Sequence, residues 1–503
     1  MTVGTDGWLR TTPLAVFFFL GRTVKGLVSN FANVAASAAG LLILIKQHVL
    51  IAAAGVAIGL VLLVVVALTK YWFFQFRVEE DGVRIRQGVL RKTQLDMRFD
   101  RIQGISTEQS LLYRVLGLVT VRFTTAGAAG DEGHLPAVTP EFVARLRQRL
   151  DAKPVPPAES NAVGTEVLLE LDGSDVTRIG LTDPRVFQFA LVVAALMPAF
   201  GGAYEEAYEW AAKLATQSLA MLVNLGPLLG VLTVLALFLG VVLVFLVGSV
   251  VVAFLRYHGY ELRQQGSVFR ASAGLLTRKD VTVDVGKLQQ LTVRQGPVMG
   301  WMQRHRVQAL PAGGGPAVGE MPDDAQKLVV PIAGARTVEN LRERVFGSEG
   351  RHVSVLPRDS RFALFSPYAI WPPVLWVGVA PAIVASAVVT TMFGSVGFVC
   401  LSWAVIVAIV ACQRWRRRGY LHDDDILVCR SGFLGYRVEA ALFRKAQQVS
   451  VSQSPLQRRK DLASLHVYFA TGSVTLAYVD CDTAKRLRDY ILYRAASSRL
   501  AWH

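Results

Sequence analysis

The stretch Ile102–Leu118, which reads IQGISTEQSLLYRVLGL, is one of three related stretches in this chain of 503 residues. With Gly88, Gly274 and Gly432 placed in register, a basic residue follows thirteen positions later, and glutamines follow at fifteen and twenty-one, in every copy. The recurring residues are Arg101, Gln103 and Gln109, then Lys287, Gln289 and Gln295, then Lys445, Gln447 and Gln453. Matches at the same positions in three copies, with no gap, indicate one domain repeated three times.

Each repeat has the pattern of a sheet closed by a helix. Between the two glutamines the residues alternate, as at Leu291 and Val293, and a period of two predicts a half-buried strand. A further strand, Val119–Thr124, follows and is matched by Leu465–Phe469. Helical patterns then end the repeats at Thr139–Leu150, Thr337–Phe346 and Asp482–Tyr493. Because a sheet needs its apolar face covered, we expect each helix to pack on its own strands.

Long uncharged segments separate the repeats and predict membrane spans. Val49–Leu68, Gly226–Leu255 and residues 362–413 contain no charged residue. About 20 apolar residues suffice to cross a bilayer, so the last segment is long enough to cross twice. The weaker segments 27–45 and 186–200 each precede a strong span and predict the first arm of a hairpin. We therefore predict six spans in three hairpins.

The positive charge predicts the orientation. Residues 70–185, 256–361 and 414–503 each contain 16 of the 53 lysines and arginines, whereas the predicted hairpin tips hold only Lys46 and Lys213. Loops on the cytoplasmic side of a membrane are enriched in these residues. Both termini and all three repeats are therefore predicted to face the cytoplasm, in a multi-pass protein of the cytoplasmic membrane. This topology, rather than nucleic-acid binding, accounts for the net charge of +15.

These patterns divide the chain into alternating membrane and soluble parts. The predicted parts are 1–69 (an interfacial helix and the first hairpin), 70–150 (the first domain), 151–183 (a linker), 184–256 (the second hairpin), 257–350 (the second domain), 362–413 (the third hairpin) and 414–503 (the third domain). Within the first part, residues 13–31 predict an amphipathic helix in the membrane interface, with Phe17, Phe18 and Phe19 as anchors.

The first repeat resembles the core of the bacterial pleckstrin-homology (PH) domain. The resemblance rests on Ile102–Leu118, on Val119-Thr120-Val121 directly after it, and on Thr125-Ala126-Gly127. The third repeat keeps Gln447, Gln453, Ser454, Pro455, Leu456, Arg458 and Thr471-Gly472. The second repeat departs, because Trp301–Arg306 stands where the Arg-x-x-Gly-Leu phrase is expected. Three such domains, each behind a hairpin, resemble the YdbT-type membrane proteins.

The resemblance implies a fold class and a setting. The fold is a multi-domain α+β membrane protein, in which transmembrane α-helical hairpins alternate with three PH-like antiparallel β domains, each closed by a C-terminal helix. Members are associated with the envelope of bacterial cells, in the cytoplasmic (inner) membrane, and have no implied enzymatic activity. They often accompany a smaller membrane protein with a single PH domain.

No residue pattern predicts a catalytic, cofactor-binding or metal-binding site. His422-Asp423-Asp424-Asp425 is the nearest approach to a metal cluster, but consecutive carboxylates on an extended chain point in different directions, which favours a solvated turn. The sequence contains neither a GxSxG nucleophile elbow nor a phosphate-binding GK[ST] loop. We therefore predict that the protein is not an enzyme and needs no cofactor.

The function that these features favour is a scaffold. Arg101, Lys287 and Lys445 could meet lipid phosphates and the glutamines a bound peptide, although a structural role at strand ends is favoured. The basic groups Arg91-Lys92, Arg278-Lys279 and Arg458-Arg459-Lys460 are better candidates for headgroup contact, and the alternative is that they are ordinary basic residues of the cytoplasmic side. The expected partners are membrane lipids and either a smaller single-PH-domain protein or a second copy of the chain, with no nucleic acid.

A second hypothesis assigns the working part to the hairpins. In that case the protein handles lipid or assists export, and the polar residues Asn30, Asn33 and Asn224 face a cavity. The absence of charged residues from the three strong apolar segments argues against an ion-coupled carrier, because such carriers need ionisable groups within the membrane. An enzyme is a distant third hypothesis.

Overall fold

A computed structural model gives the fold. It describes residues 2–3, 8–29, 49–88, 92–99, 102–125, 133–151, 166–182, 209, 213, 227–311, 327–347, 349–350, 352–358 and 361–498. Most of the weak span 27–45 and all of the weak span 186–200 lie outside these residues, as do Asn30, Asn33 and Asn224.

Each repeat consists of two halves. The first half is a three-stranded antiparallel meander, and the second half is another three strands followed by a closing helix. In and before the first repeat the strands are β1 (Thr2–Val3), β2 (Leu9–Arg10), β3 (Gln75–Val78), β4 (Gly82–Gln87), β5 (Thr93–Arg98), β6 (Ile102–Ser110), β7 (Val119–Thr125) and β8 (His134–Val138). Its closing helix spans Pro140–Asp151.

The second and third repeats follow the same order. The strands of the second are β9 (Glu166–Glu170), β10 (Glu261–Gln265), β11 (Val268–Ala273), β12 (Thr277–Asp284), β13 (Leu288–Gln295), β14 (His305–Pro311) and β15 (Leu328–Ala333). Those of the third are β16 (Gly419–His422), β17 (Ile426–Ser431), β18 (Tyr436–Leu442), β19 (Ala446–Ser452), β20 (Leu462–Phe469) and β21 (Gly472–Asp480). Their closing helices, Ala335–Phe346 and Cys481–Ser497, confirm the helices predicted there.

Successive repeats share their sheets. In the first junction β6 of the first repeat pairs with β12 of the second, which makes one seven-stranded sheet in the order β8-β7-β6-β12-β11-β10-β9. In the second junction β13 pairs with β18, which makes a six-stranded sheet in the order β15-β14-β13-β18-β17-β16. The repeats are therefore joined edge to edge by backbone hydrogen bonds, and not merely tethered by the chain.

The cores follow from this arrangement, because some strands are covered on both faces. Along β17, Ile426 and Val428 lie in the core of the second repeat, whereas Leu427 and Cys429 lie in the core of the third. All four side chains are less than 9 % exposed. Side chains of successive strand residues point to opposite faces, so one strand contributes to two cores and couples the stability of adjacent repeats.

The predicted linker 151–183 is wrong over residues 166–182. Glu166–Glu170 forms β9, which pairs with β10 after the predicted second hairpin, and Gly173–Thr182 forms a helix. Leu9–Arg10 likewise pairs with β3, and Ala363 bridges to Tyr420. The first two repeats therefore begin one strand before their predicted hairpins, whereas the third has only an isolated bridge, at Ala363 within residues 362–413. The Pro/Ala/Ser-rich composition misled the prediction because it is confined to the start of the segment.

The helix Gly173–Thr182 packs closely on the helix Pro227–Tyr257. Ser249 donates a hydrogen bond to the carbonyl oxygen of Gly180. A Cβ atom added at Gly180 would lie 2.5 Å from the Cα atom of Val250, which is backbone and cannot swing away. The close approach of the two helices therefore requires glycine at this position.

Gly180→Ala is expected to lower the free energy of unfolding by about 1–3 kcal/mol, because the added methyl group overpacks a contact between two backbones. Thermal unfolding of the protein in mild detergent measures the effect. Gly173→Ala in the same helix is the matched control, since nothing lies within 4 Å of its added Cβ atom. Equal unfolding temperatures for the two variants would contradict this packing.

Long apolar helices lie beside the sheets. Of the described helices, Pro367–Met392 and Gly397–Arg416 are long and apolar enough to cross a membrane. The helices Val49–Trp72 and Pro227–Tyr257 have 24 and 31 residues, and they expose large apolar side chains such as Val61 and Val244. Water does not favour such surfaces, which agrees with a protein of the membrane.

The N-terminal helix has only one of its three predicted membrane anchors exposed. A helix at Ala15–Ser29 confirms the helix predicted over residues 13–31. Of its three predicted anchors, only Phe17 is exposed. The rings of Phe18 and His134 lie 5.5 Å apart, and those of Phe19 and Phe74 lie 5.6 Å apart. Phe18 and Phe19 therefore pack on the first repeat, because the helix lies against its core.

Candidate interaction surfaces

The second glutamine of each repeat closes a turn. The amide nitrogen of each donates to the backbone carbonyl nine residues later, across the short helix that joins the first two strands of the second half. The pairs are Gln109 Nε2 to Leu118 O (3.0 Å), Gln295 Nε2 to Arg304 O (3.3 Å) and Gln453 Nε2 to Leu462 O (2.9 Å). One hydrogen bond made in all three copies is a structural reason for the glutamine to recur.

The residue after this glutamine caps the short helix in two of the repeats. Ser110 accepts from the backbone nitrogen of Tyr113 (3.4 Å), and Ser454 forms a reciprocal capping box with Gln457. Gly296 of the second repeat has no side chain to do so, and Pro297 follows it at the first helical position. The second repeat therefore builds the turn by other means, in the region where its sequence departs from the resemblance.

The first glutamine of each repeat lies at a β-bulge. The pairing register shifts between Ile102 and Gly104, between Leu288 and Gln290, and between Ala446 and Gln448, so that Gln103, Gln289 and Gln447 are the extra residues. Gln289 is only 1 % exposed, whereas Gln447 is exposed. The same position is thus covered at a junction and open in the third repeat.

The recurring base ties one repeat to the one before it. Lys287 Nζ donates to the carbonyl oxygen of Ile102, the first residue of β6. Lys445 Nζ donates to the carbonyl oxygens of Gly286 (2.9 Å) and Leu288 (2.7 Å), at the start of β13. Arg101 lies outside the described residues. In the second and third repeats, therefore, the base contacts the preceding domain.

Burial lowers the pKa of Lys445. Its side chain is 2 % exposed, and this desolvation, with the neighbouring Arg444 guanidinium, lowers its pKa from 10.5 to about 8, although Glu349 and Asp284 oppose the shift. The ammonium group is held chiefly by backbone carbonyl oxygens. A side chain so enclosed serves the junction between repeats, and is not placed to meet a lipid phosphate.

Charged pairs add to both junctions. Lys279 Nζ lies 2.6 Å from Glu108 Oε1 in the first junction, and Arg444 Nε lies 3.0 Å from Glu349 Oε1 in the second. Sequence reasoning proposed Lys279 as a lipid contact and missed this pairing. No local pattern reveals which carboxylate of another domain a base will meet, so the signal was absent from the sequence.

A basic pocket lies where the second junction meets the end of the predicted third hairpin. This arginine pocket has a volume of about 790 Å³. Its arginines are Arg358, Arg416, Arg417 and Arg430, and none of the described residues that line it is acidic. Trp301, which is 83 % exposed, and Leu434 add apolar surface.

The arginine pocket is organised by the chain itself. Arg417 Nη1 donates to Leu434 O (2.8 Å), and its guanidinium lies 4.8 Å from the ring centre of Tyr436. Arg430 Nη1 donates to Pro357 O (2.9 Å). A guanidinium group has five N–H donors, and its planar fork matches the geometry of a phosphate group.

The other basic groups named from the sequence lie elsewhere. Arg278 is exposed on β12, and Arg458, Arg459 and Lys460 are exposed in the turn after β19, while Arg91 falls outside the described residues. In the part of the chain that is described, no three His, Cys, Asp or Glu side chains are grouped to hold a metal ion. Asp424 and Asp425 instead hold the last closing helix through Tyr490 and Arg494.

The chain is similar to a known family of bacterial domains and to a transmembrane protein of similar length. A family model described as the bacterial PH domain matches it three times, over residues 19–154, 222–347 and 373–495. The transmembrane protein YdbT of Bacillus subtilis (strain 168) is 21% identical over 493 residues, which cover 92% of this chain and 93% of that protein. No solved structure matches the chain. The three matches cover most of the three repeats and parts of the apolar segments before them.

Proposed function

The chain belongs to the bacterial PH domain family, and from that premise we propose that it is a membrane-anchored scaffold. It presents three PH-like interaction domains at the cytoplasmic face of the membrane, serves the cell envelope, and catalyses no reaction. The observation that carries this proposal is the pair of junctions, in which β6 joins β12 and β13 joins β18. Domains fused through their sheets form a fixed array, and a fixed array suits the display of binding surfaces.

The proposed topology is six spans in three hairpins, with both termini and all three domains in the cytoplasm. The pairing of β9 with β10 supports it, because a strand from each side of the second apolar region belongs to one sheet. Both ends of a hairpin inserted there must lie on the same side of the membrane. The even distribution of basic residues over the three repeats supports the same orientation.

The proposed lipid contact is the arginine pocket. Arg416 ends the helix Gly397–Arg416, so the pocket lies near the depth at which phosphate headgroups are expected. Each base near an anionic leaflet contributes about 1 kcal/mol. A phosphate group of an anionic lipid would meet several guanidinium groups there, while Trp301 lies in the interfacial layer that tryptophan favours.

The double variant Arg358→Gln/Arg416→Gln is expected to bind anionic lipid about tenfold or more weakly, since it removes two bases of about 1 kcal/mol each. Native mass spectrometry of the purified protein with added phosphatidylglycerol measures retention of the lipid. Arg459→Gln/Lys460→Gln removes two exposed bases outside the pocket and is the control. Equal loss of lipid in both double variants would leave only general electrostatic attraction.

The scaffold itself is tested by recovery of a partner. Cross-linking in native membranes, followed by affinity purification, is expected to recover a polypeptide bound to this chain, either a second copy or a smaller single-domain relative. Recovery of the chain alone, as a monomer, would contradict the proposal. Lysines placed on an exposed strand edge, as in Ser450→Lys/Ser452→Lys, are expected to reduce the yield if the partner pairs with that edge.

A further inference from the structure

Among the edge strands of the described sheets, β5 of the first repeat and β19 of the third hold positions that are paired elsewhere in the chain. β5 is the last strand of the sheet β1-β2-β3-β4-β5, and β19 is the first strand of the sheet β19-β20-β21. β5 holds the place in the first repeat that β12 and β18 hold in the other two, and β19 holds the place of β6 and β13. Those equivalent strands are the ones that pair at the junctions. β5 and β19 are therefore equivalent to the two strands that pair with each other at each junction.

Both junctions use the same register. Thr277, three residues after Gly274, lies opposite Ser110, which is 22 residues after Gly88. Tyr436, four residues after Gly432, lies opposite Gln295, which is 21 residues after Gly274. Counted from the aligned glycines, the two positions add to 25 in both junctions. The register is the same in both junctions although the paired side chains differ, so it is set by the backbone of the repeat. The same register is therefore expected in any further junction.

The open edges carry little to prevent such pairing. β19 reads AQQVSVS and has no charged residue, so it lacks the lysines that usually protect an edge strand. In the common register, Asp96 of β5 lies opposite Val449, and Arg98 lies opposite Gln447, so no like charges meet. Gln447 is exposed, although its equivalent Gln289 is buried at a junction.

We infer that copies of this protein assemble head to tail in the membrane, with β5 of one copy paired to β19 of another in the register of the two internal junctions. The first repeat of one copy then follows the third repeat of its neighbour as the third follows the second within a chain. Arg101 holds the sequence position that Lys287 and Lys445 hold in the other two repeats. The two surfaces of this contact differ, so repetition closes a ring or extends a row.

This inference rests on the proposed scaffold and names its partner as a second copy. The partner is chosen because the two edges complement each other and not themselves: β5 occupies the β12 position and β19 the β13 position. Within one chain they lie in different sheets. A contact between them therefore has to come from two molecules.

Directed disulfides test the register. Leu95 and Ser450 hold the positions of Val281 and Ser106, which lie directly opposite each other in the first junction. Opposed residues in antiparallel strands have Cα atoms about 4.5–5.5 Å apart, within disulfide reach. In a background without Cys400, Cys412, Cys429 and Cys481, Leu95→Cys and Ser450→Cys are placed on two differently tagged copies, expressed together and oxidised in native membranes.

A disulfide-linked pair carrying both tags is expected. Either variant expressed alone should form no disulfide-linked dimer. The double variant Ser106→Cys/Val281→Cys is the positive control, because it should close a disulfide within one chain. Adding Arg101→Glu to the Leu95→Cys copy should reduce the two-tag product at least tenfold and leave the internal control disulfide unchanged. Absence of the two-tag product while the internal control forms would overturn the inference.

Cross-linking from Ser450→Cys distinguishes failure of head-to-tail assembly from failure of the scaffold proposal. If Ser450→Cys, treated with a bifunctional maleimide in native membranes, joins a different polypeptide and never a second copy, head-to-tail assembly is wrong and the scaffold stands. If it joins no polypeptide, and cross-linking elsewhere on the chain also recovers none, both fail.

Discussion

Lys445→Glu is expected to lower the free energy of unfolding by about 3–5 kcal/mol. The ammonium group of Lys445 is buried and donates to the carbonyl oxygens of Gly286 and Leu288. A carboxylate in its place leaves both carbonyl oxygens without a donor and adds a buried negative charge beside them. Breaking a buried charged contact in this way costs about 3–5 kcal/mol. The loss should appear first at the second junction, because that is where both acceptors lie.

Thermal unfolding in mild detergent measures this effect, and limited proteolysis locates it between the second and third repeats. Lys445→Met should cost less, about 1–3 kcal/mol, since it leaves the carbonyl oxygens unpaired but introduces no charge. Lys485→Glu, on the exposed side of the last closing helix, is the matched control and should unfold like the parent protein. If Lys445→Glu also unfolds like the parent, the base does not hold the junction.

Gly435→Val is expected to separate the strands of the second junction and to lower the free energy of unfolding by about 2–4 kcal/mol. A Cβ atom at this position would overlap the carbonyl oxygen of Gln295 and lie 3.0 Å from the Cα atom of Gly296. Both obstacles are backbone, so relief requires β13 and β18 to move apart. Overpacking costs about 1–3 kcal/mol, and each hydrogen bond lost with it adds about 1 kcal/mol.

Hydrogen exchange at the backbone amides of Thr292 and Arg294 reports the separation directly, because both residues lie in the paired part of β13. Gly286→Val is the control: it lies one residue before Lys287, but an added Cβ atom there meets only Asp284, at an ordinary 3.5 Å. Faster exchange in the Gly435→Val protein alone is the expected result. Unchanged exchange in both variants would mean that β13 and β18 do not depend on one another.

Much of the single repeat could be predicted from its residues. The alternation through Leu291 and Val293 gave a strand that the structure places at β13, and the pattern at residues 139–150 gave a closing helix. Both signals are periodic and local, and periodicity reflects burial on one face. The hydrogen bonds of Gln109, Gln295 and Gln453 agree with the structural role that was favoured for them.

The arrangement of the repeats could not be predicted in the same way. The sequence of β12 does not indicate that β6 is its neighbour, because backbone hydrogen bonds can form with any strand of suitable register. Pairing of β9 with β10 was missed for a related reason, since ninety residues separate the two strands. The arginine pocket draws on four separate stretches of sequence, and only the fold brings them together.

The central claim is that all three domains stand on one side of the membrane as a single array. Arg145, Arg336 and Lys485 are exposed bases, one on each closing helix, and each is replaced in turn by cysteine in the cysteine-free background. A membrane-impermeant maleimide is then applied to intact cells and to opened membranes. The account predicts that none of the three cysteines reacts in intact cells and that all three react once the membranes are opened. Labelling of even one of them from outside the intact cell would contradict it.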